Sequence, residues 1–255
     1  MKKSKIKICV VTGSRADYGI LSNFLKRLNN EFDLKIIATG SHLSKKFGYT
    51  INQIERDGFK IYKKVKVINR NDNNKDISNS VSGGIKKFTN IFKNLKTDLL
   101  IVLGDRYEIF AACVAASIMR IKISHIHGGE TTSNAIDEIF RHSITIMSQL
   151  HFVSAKKYFK RVLQLGKNKK NVFLTGSLSV SNIKQSNLGK FDEVIKKYKL
   201  TTDKKIIFFQ YHPETLELNY GFKGMINTFK ILSKYKEYQI VSTYSNADSN
   251  FKKFN

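Results

Sequence analysis

The chain has 255 residues and carries 45 Lys and Arg against 20 Asp and Glu, a formal net charge of +25. Its hydrophobic share of 41% is ordinary for a globular protein and excludes wholesale disorder. The two cysteines, Cys9 and Cys113, lie in apolar runs, which excludes a secreted disulfide scaffold and leads us to expect a reducing, cytoplasmic location.

The basic charge is spread along the whole chain, from Lys2 to Lys253. No zinc-finger spacing, RNA-binding aromatic motif or basic zipper accompanies it. We therefore expect no nucleic-acid partner, although the charge leaves nucleic-acid binding open as an alternative. The most apolar helical segment, residues 109–119, is shorter than the ~20 residues that cross a bilayer, so no membrane partner is expected.

Short apolar strands alternate with helical patterns along the first part of the chain, which is typical of a parallel α/β sheet. The predicted strands are residues 5–12, 34–39, 61–68, 99–103, 123–126, 151–153 and 172–175. The predicted helices are residues 18–29, 47–57, 77–95 with an interruption at Gly83-Gly84, 107–119, 136–147 and 156–165. This pattern predicts a Rossmann-like N-terminal domain over residues 1–182.

A domain boundary is predicted near residues 180–190, where Ser, Asn and Gly cluster. Beyond it the predicted helices are residues 191–200 and 222–235, and the predicted strands are 205–211 and 238–243. Two strands are fewer than the five or six usual in a doubly wound sheet. We therefore expect residues 183–255 to form only part of a second Rossmann-like domain.

A glycine-rich turn, residues 13–19, follows the first predicted strand. Ligands of open parallel sheets bind beyond the carboxyl ends of the strands, and a helix N-terminus there favours anions. Arg15 adds a guanidinium that suits phosphate. The turn lacks the Walker A and dinucleotide-binding patterns. The alternative is a tight turn capped by Ser14 or Asp17, without any ligand.

Two further motifs directly follow the carboxyl ends of predicted strands, at the same edge of the sheet as the turn. Asp105 follows strand 99–103, where it points either into the ligand cleft or caps the next helix with Glu108. Glu130 follows strand 123–126 in the run HIHGGE. His125 and His127 in that run lack the further ligands of a zinc site, so no metal is expected and one of them is predicted to be a buried, hydrogen-bonded strand residue.

The run DEIFRH opens a predicted helix and places Asp137 with Arg141, and Glu138 with His142, at i, i+4 spacing. These pairs are equally expected of a salt-bridged solvent face. His212 precedes the only proline, at the end of strand 205–211, and faces the expected cleft.

Several of these segments together resemble the hydrolysing UDP-N-acetylglucosamine 2-epimerases of bacterial sialic and legionaminic acid pathways. The resemblance covers nearly the whole chain and rests on VVTGSRADYGIL, TGSHLSKKFG, GDRYEIFAAC, HIHGGE, AIDEIFRHSITIMS, LTGSLSV and YHPETLE. It implies a GT-B-like fold of two Rossmann-like domains that bind a UDP-sugar. It also implies elimination of UDP with loss of the C2 proton, followed by addition of water to give the free 2-epimer. No cofactor is implied.

The resemblance assigns roles to individual residues. Proton transfer falls to Asp105, Glu130 and Asp137 or its neighbour Glu138, with His212 assisting at the diphosphate. UDP-sugar binding falls to Gly13, Arg15, Asp17, His42, Arg106, Arg141, His212 and Asn246. The partners expected are the UDP-sugar and further copies of the chain in a homo-oligomer.

The chain also departs from the family pattern. The family continues past the segment seen here as residues 246–248 and then supplies a Gly-Asn-Ser-Ser-Ser-like turn and a glutamate, neither of which occurs in this sequence. Asn134 stands where glycine is usual. We therefore expect a truncated chain. The alternatives are a non-catalytic nucleotide-sugar-binding remnant, or half of a split enzyme that pairs with a separate C-terminal fragment. The choice between UDP-N-acetylglucosamine and a diacetamido relative stays open.

Overall fold

A computed structural model describes residues 5–67, 73–133, 135–186, 189–212, 214, 216–217, 219 and 221–243. The chain divides into two compact units, Met1–Lys184 and Gln185–Asn255. Each unit has its own parallel sheet, as the alternation of apolar and helical segments predicts.

The first unit alternates strands and helices along the chain. Its strands are β1 (Lys7–Thr12), β2 (Asp33–Thr39), β3 (Ile61–Val65), β4 (Leu99–Leu103), β5 (Lys122–Ile126), β6 (Leu150–Val153) and β7 (Val172–Leu174). Its helices are α1 (Arg15–Glu31), α2 (Ile51–Arg56), α3 (Asn74–Leu95), α4 (Tyr107–Ile118), α5 (Asp137–Met147), α6 (Lys156–Gln164) and α7 (Leu178–Gln185). Short 3₁₀ turns occupy Gly40–Leu43, Lys45–Phe47 and Lys169–Asn171.

The seven strands described in this unit pair in the order β3-β2-β1-β4-β5-β6-β7, and every pair is parallel. Ile8 of β1 aligns with Leu34 of β2 on one side and with Leu99 of β4 on the other. The chain therefore leaves β1 in one direction and returns on its other side at β4. This reversal of strand order is the place where open α/β sheets bind ligands.

Alternating side chains of the strands build a core on each face of the sheet. Cys9 and Val11 of β1 point to the face covered by α3 and α4, where Phe88 and Ile109 are fully buried. The neighbouring β1 residues, Ile8 and Val10, belong to the opposite cluster. That cluster contains Tyr18, Leu21 and Leu25 of α1 and Ile51 and Ile54 of α2. Helices on both faces are the reason why the strands read as continuous apolar runs.

One prediction about local structure was wrong. The glycines Gly83 and Gly84 do not interrupt a helix, because α3 runs continuously from Asn74 to Leu95. A Cβ at Gly84 would lie 3.0 Å from the Cβ of Ala111, so this glycine lets α3 approach α4 closely. The segment around the predicted domain boundary contains α7, a helix that the sequence pattern did not predict; it is tied to α1 by Asn182, whose Nδ2 lies 2.8 Å from the Gly19 carbonyl oxygen.

The second unit contains the helices α8 (Phe191–Tyr198) and α9 (Phe222–Leu232) and the parallel strands β8 (Lys205–Phe209) and β9 (Tyr238–Ser242). Phe209 at the end of β8 packs edge-on against Phe229 of α9, with ring centroids 4.8 Å apart. Tyr211 donates a 2.8 Å hydrogen bond to the carbonyl of Gly221, which fixes the segment after β8 to the start of α9.

None of the helices formed by the described residues is long and apolar enough to span a membrane.

Candidate functional site

Polar loops meet at the carboxyl ends of β1, β2, β4, β5 and β6. Gly13 follows β1 and Gly104 follows β4, so the two loops flank the reversal of strand order between these neighbouring strands. The run 127–130 follows β5 next to them. The sequence-predicted motifs of the first unit therefore share one edge of one sheet, where a ligand cleft is expected.

The turn between β1 and α1 is held by a capping box. Asp17 accepts hydrogen bonds from the backbone N–H groups of Gly13 at 2.8 Å and Ser14 at 2.6 Å, and from the Ser14 hydroxyl at 2.5 Å. The Asp17 N–H lies 3.4 Å from Ser14 Oγ. The capped turn considered as an alternative is thus present, and the Asp17 carboxylate occupies donors that a phosphate would need. Arg15 is exposed beside it.

His42 connects this turn to the end of β2. Its Nε2 lies 3.1 Å from the hydroxyl of Thr12, and its Nδ1 lies 2.8 Å from the hydroxyl of Thr50. Thr12 donates to the Asp17 carboxylate at 3.1 Å, so its oxygen accepts from His42 Nε2–H. Burial lowers the pKa of His42; Asp17 opposes this shift and the charge of Arg106 adds to it. The imidazole is therefore neutral at pH 7.

An ion pair joins the end of β4 to α5. Nη2 of Arg141 donates to the Asp105 carboxylate, and Nη1 donates to the hydroxyl of Thr132 at 3.1 Å. Arg141 is buried in the first unit. The i, i+4 spacing predicted Asp137 as the neighbour of Arg141, and the structure pairs Arg141 with Asp105, which belongs to another loop. The second predicted pair forms, with His142 Nε2 3.4 Å from Glu138 Oε1.

The first turn of α4 places a second carboxylate, that of Glu108, in the interior next to this sheet edge. Arg106, not Asp105, is the N-cap residue of α4, and its side chain makes no capping hydrogen bond. The capping-box alternative for Asp105 and Glu108 is therefore wrong. Glu108 turns inward, is fully buried, and accepts a 2.7 Å hydrogen bond from Nε of Arg106.

His125 is a buried structural residue of β5, which confirms that one histidine of the run HIHGGE has this role. Its Nε2 lies 2.8 Å from the carbonyl of Gly104, so Nε2 donates; its Nδ1 lies 3.1 Å from the hydroxyl of Thr145. Burial is the main cause that lowers the pKa of His125 to about 3. A Cβ at Gly128 would lie 2.9 Å from His125 Nδ1, which explains the glycine at that position.

His127 and Glu130 lie together after β5. Nδ1 of His127 is 3.6 Å from Glu130 Oε1, and the hydroxyl of Ser154 donates to the same oxygen at 2.5 Å. His127 has a φ of 63°, a left-handed conformation that is rare for residues other than glycine and is often found at functional sites. Its Nε2 is buried and has no hydrogen-bond partner in the described part of the chain.

Burial is the first cause that lowers the pKa of His127, with Glu130 opposing the shift and Arg141 adding to it. A neutral imidazole whose Nδ1 faces a carboxylate carries its proton there, which leaves a lone pair on Nε2. The loop end of β5 therefore holds a carboxylate and an imidazole that are both able to exchange protons.

Comparison with known proteins identifies the family. The family model described as UDP-N-acetylglucosamine 2-epimerase matches residues 26–255. The chain belongs to this family. The resemblance found in the sequence motifs is thereby confirmed.

Relatives within the epimerase family carry more specific names. The chain is 40% identical over 249 residues to a Campylobacter jejuni protein named GDP/UDP-N,N'-diacetylbacillosamine 2-epimerase (hydrolyzing), covering 97% of this chain and 65% of that protein. It is 42% identical over 212 residues to the Escherichia coli polysialic acid biosynthesis protein P7, covering 82% of this chain and 54% of that protein. The chain thus spans about half to two thirds of the length of these relatives.

A solved epimerase has the same fold. The crystal structure of UDP-GlcNAc 2-epimerase from Neisseria meningitidis bound to UDP-GlcNAc matches 97% of this chain and 68% of its own, with a TM-score of 0.77 and 19% sequence identity. The predicted GT-B-like α/β class is confirmed.

The structure brings all ten predicted site residues of the first unit to one sheet edge. These residues are Gly13, Arg15, Asp17, His42, Asp105, Arg106, Glu130, Asp137, Glu138 and Arg141. His212 follows β8 in the second unit and is exposed. Asn246 and Asn134 lie outside the described residues.

No group of three or more His, Cys, Asp or Glu side chains among the described residues is arranged to hold a metal ion. The proposed acid–base groups come instead as pairs: Asp105 with Arg141, and Glu130 with His127. This arrangement suits proton transfer and anion binding.

The sequence predicted no role in the site for four polar groups at this edge: Glu108, His127, Thr132 and Ser154. The sequence pattern predicted that Glu108 caps a helix and that His127 is one of two histidines on a strand. The signal available for His127 was its place between the end of a strand and two glycines. Thr132 and Ser154 offered no signal, because single hydroxyl residues in loops are common.

Proposed function

We propose that the chain binds a UDP-2-acetamido sugar and takes part in its hydrolysing 2-epimerisation, which releases UDP and the free 2-epimer. One observation carries this proposal. The Asp105–Arg141 ion pair and Glu130 lie at the same sheet edge, beside the reversal of strand order, where open α/β sheets bind ligands. The chain that holds them belongs to the epimerase family. The name of the Campylobacter jejuni relative supports the same reaction class.

The proposed reaction has two steps. In the first, a base removes the proton from C2 while the bond between C1 and the UDP oxygen breaks, so UDP leaves and a C1–C2 double bond forms. In the second, the oxygen of water bonds to C1 and a proton adds to C2 from the opposite face. A well-placed acid or base accelerates such a proton transfer by ~10²–10⁴-fold.

Asp105, Glu130 and Asp137 or Glu138 are the proposed proton-transfer groups. The position of His127, with Nδ1 3.6 Å from Glu130 Oε1, supports this role, because it places an imidazole next to the carboxylate. Ser154 donates to Glu130 and fixes the orientation of its carboxylate.

Binding of the diphosphate is proposed for the cationic side chains Arg15, Arg106 and Arg141, with His212 assisting and Asn246 contributing from the second unit. Asp17 and His42 support the site by holding the Gly13 turn, since their polar atoms bond to neighbouring residues.

We also propose that the chain divides into domains 1–182 and 183–255, that it is cytoplasmic, and that it forms a homo-oligomer. The two free, buried cysteines suit a reducing compartment.

The sugar is either UDP-N-acetylglucosamine or UDP-N,N'-diacetylbacillosamine, and the names of the relatives support both. The name of the Escherichia coli relative supports a place in sialic acid biosynthesis. Release of UDP from each sugar, measured in a coupled assay, tests the proposal and decides between them. Turnover of one sugar by the 255-residue chain supports it. A chain that neither turns over nor binds either sugar contradicts it.

A further inference from the structure

Glu108 is a charged side chain in a position where such residues seldom occur. It lies in the first turn of α4, and its side chain has no exposed surface. Its Oε1 accepts from Arg106 Nε at 2.7 Å, while its Oε2 has no hydrogen-bond partner among the described residues. The N-terminus of α4 and the Arg106 guanidinium together stabilise this anion.

Two glycines make room for the Glu108 carboxylate. A Cβ on Gly13, after β1, would lie 2.5 Å from Glu108 Oε1 and 2.8 Å from its Cγ. A Cβ on Gly40, after β2, would collide with the same oxygen. Side chains at either position would therefore expel the carboxylate. The ends of β1 and β2 and the start of α4 form one niche around it.

Stability alone does not explain this arrangement. A buried ion pair contributes little compared with apolar side chains of the same volume, because desolvation offsets the attraction. The pair does fix geometry. A bond at Nε holds the plane of the guanidinium, so the terminal nitrogens of Arg106 keep one direction at the sheet edge.

We propose that Glu108 is a positioning residue that holds the Arg106 guanidinium in one orientation to receive the diphosphate of a nucleoside-diphosphate sugar. This inference rests on the proposed function, in which Arg106 binds the substrate. Gly13 and Gly40 contribute to this positioning, since the absence of a side chain at each leaves the space that the Glu108 carboxylate occupies.

The first test compares UDP and uridine binding by the full chain, using calorimetry. Glu108→Met keeps the length of the side chain but removes its charge and acceptor. We expect it to stay folded but to be less stable than the parent, because the Arg106 charge loses its partner, and to bind UDP about tenfold or more weakly, with uridine affinity unchanged. Glu108→Gln, which can still accept from Nε–H, restores part of the affinity. Glu193→Gln, at the exposed first turn of α8, is the matched control and binds as the parent.

Arg106→Lys separates positioning from general structure. If Glu108 acts through Arg106, Glu108→Met causes no further loss of UDP affinity in the Arg106→Lys background. Equal losses in both backgrounds, or an unchanged UDP affinity of Glu108→Met, would overturn the inference while the proposed function stands.

A measurement without ligand keeps the two proposals distinguishable. In ¹⁵N NMR spectra we expect the Nε–H signal of Arg106 to be resolved and slow to exchange in the parent, and to shift in both Glu108→Met and Gly13→Ala. An unshifted signal in both variants overturns the inference. A different result is a parent chain whose Arg106 Nε–H signal is resolved and shifts in the variants, but which does not bind UDP. That result contradicts the proposed function, and it also contradicts the part of this inference that names the diphosphate as the ligand of Arg106.

Discussion

The ion pair between Asp105 and Arg141 links the end of β4 to α5, and Asp105→Ala should destabilise the first unit measurably. The two side chains are 18% and 10% exposed. Removing one partner of a fully buried pair costs about 3–5 kcal/mol. The residual exposure and solvent screening lower this cost, so we expect a loss of about 2–3 kcal/mol in the free energy of unfolding.

Urea unfolding followed by far-ultraviolet circular dichroism measures this loss. The matched control is Glu55→Ala, which breaks an ion pair with Lys64 whose side chains are 46% and 47% exposed. That pair should contribute about 0.2–1 kcal/mol. The difference between the variants isolates the effect of burial.

The double variant Asp105→Ala, Arg141→Met completes the cycle. Because the second change removes the buried charge that the first leaves unpaired, we expect the double variant to be less destabilised than the sum of the single changes. If Asp105→Ala costs no more than Glu55→Ala, or if the two changes add, the pair is not the buried link described above.

Three further results are expected. Glu130→Gln should keep the fold, since Ser154 can still donate to its oxygen, and lower UDP release by ~10²-fold or more; more than a tenth of parental activity would contradict its role. Turnover should survive EDTA, because the proposed groups are proton carriers; loss restored by one divalent ion would contradict this. The depressed pKa of His125, about 3, means that the unfolded chain takes up a proton below pH ~6.5 while the folded chain does not. Stability should therefore fall from pH 6.5 toward 4, by up to ~1.4 kcal/mol per pH unit more in the parent than in His125→Gln, as denaturant titrations at several pH values will show.

Strands were predictable where an apolar run has polar ends. Residues 99–103 match β4 in full, because Asp98 and Gly104 bound five aliphatic residues. Helix α1 begins at Arg15, three residues before its prediction, because the capping box of Ser14 starts it directly after the turn. Helix α7 was missed because its composition is that of a loop; the tie from Asn182 to the carbonyl groups of α1 is a tertiary contact.

The candidate site was predictable in place but not in detail. The carboxyl ends of parallel strands share an edge, so Asp105 and Glu130 could be located from the order of elements. Spacing along a helix reports which residues share a face, not which loop lies opposite, so the partnership of Arg141 with Asp105 was not visible. The inward turn of Glu108 depends on space left by glycines of two other loops.

In the reaction that we propose for this sheet edge, the C2 proton of a UDP-sugar is removed and replaced. The most direct measurement is ¹H NMR of UDP-N-acetylglucosamine and of UDP-N,N'-diacetylbacillosamine incubated with the chain in D₂O. We predict that one of them yields UDP and a free 2-epimer that carries deuterium at C2. A product that retains the original C2 hydrogen, or no conversion of either sugar, would contradict the account.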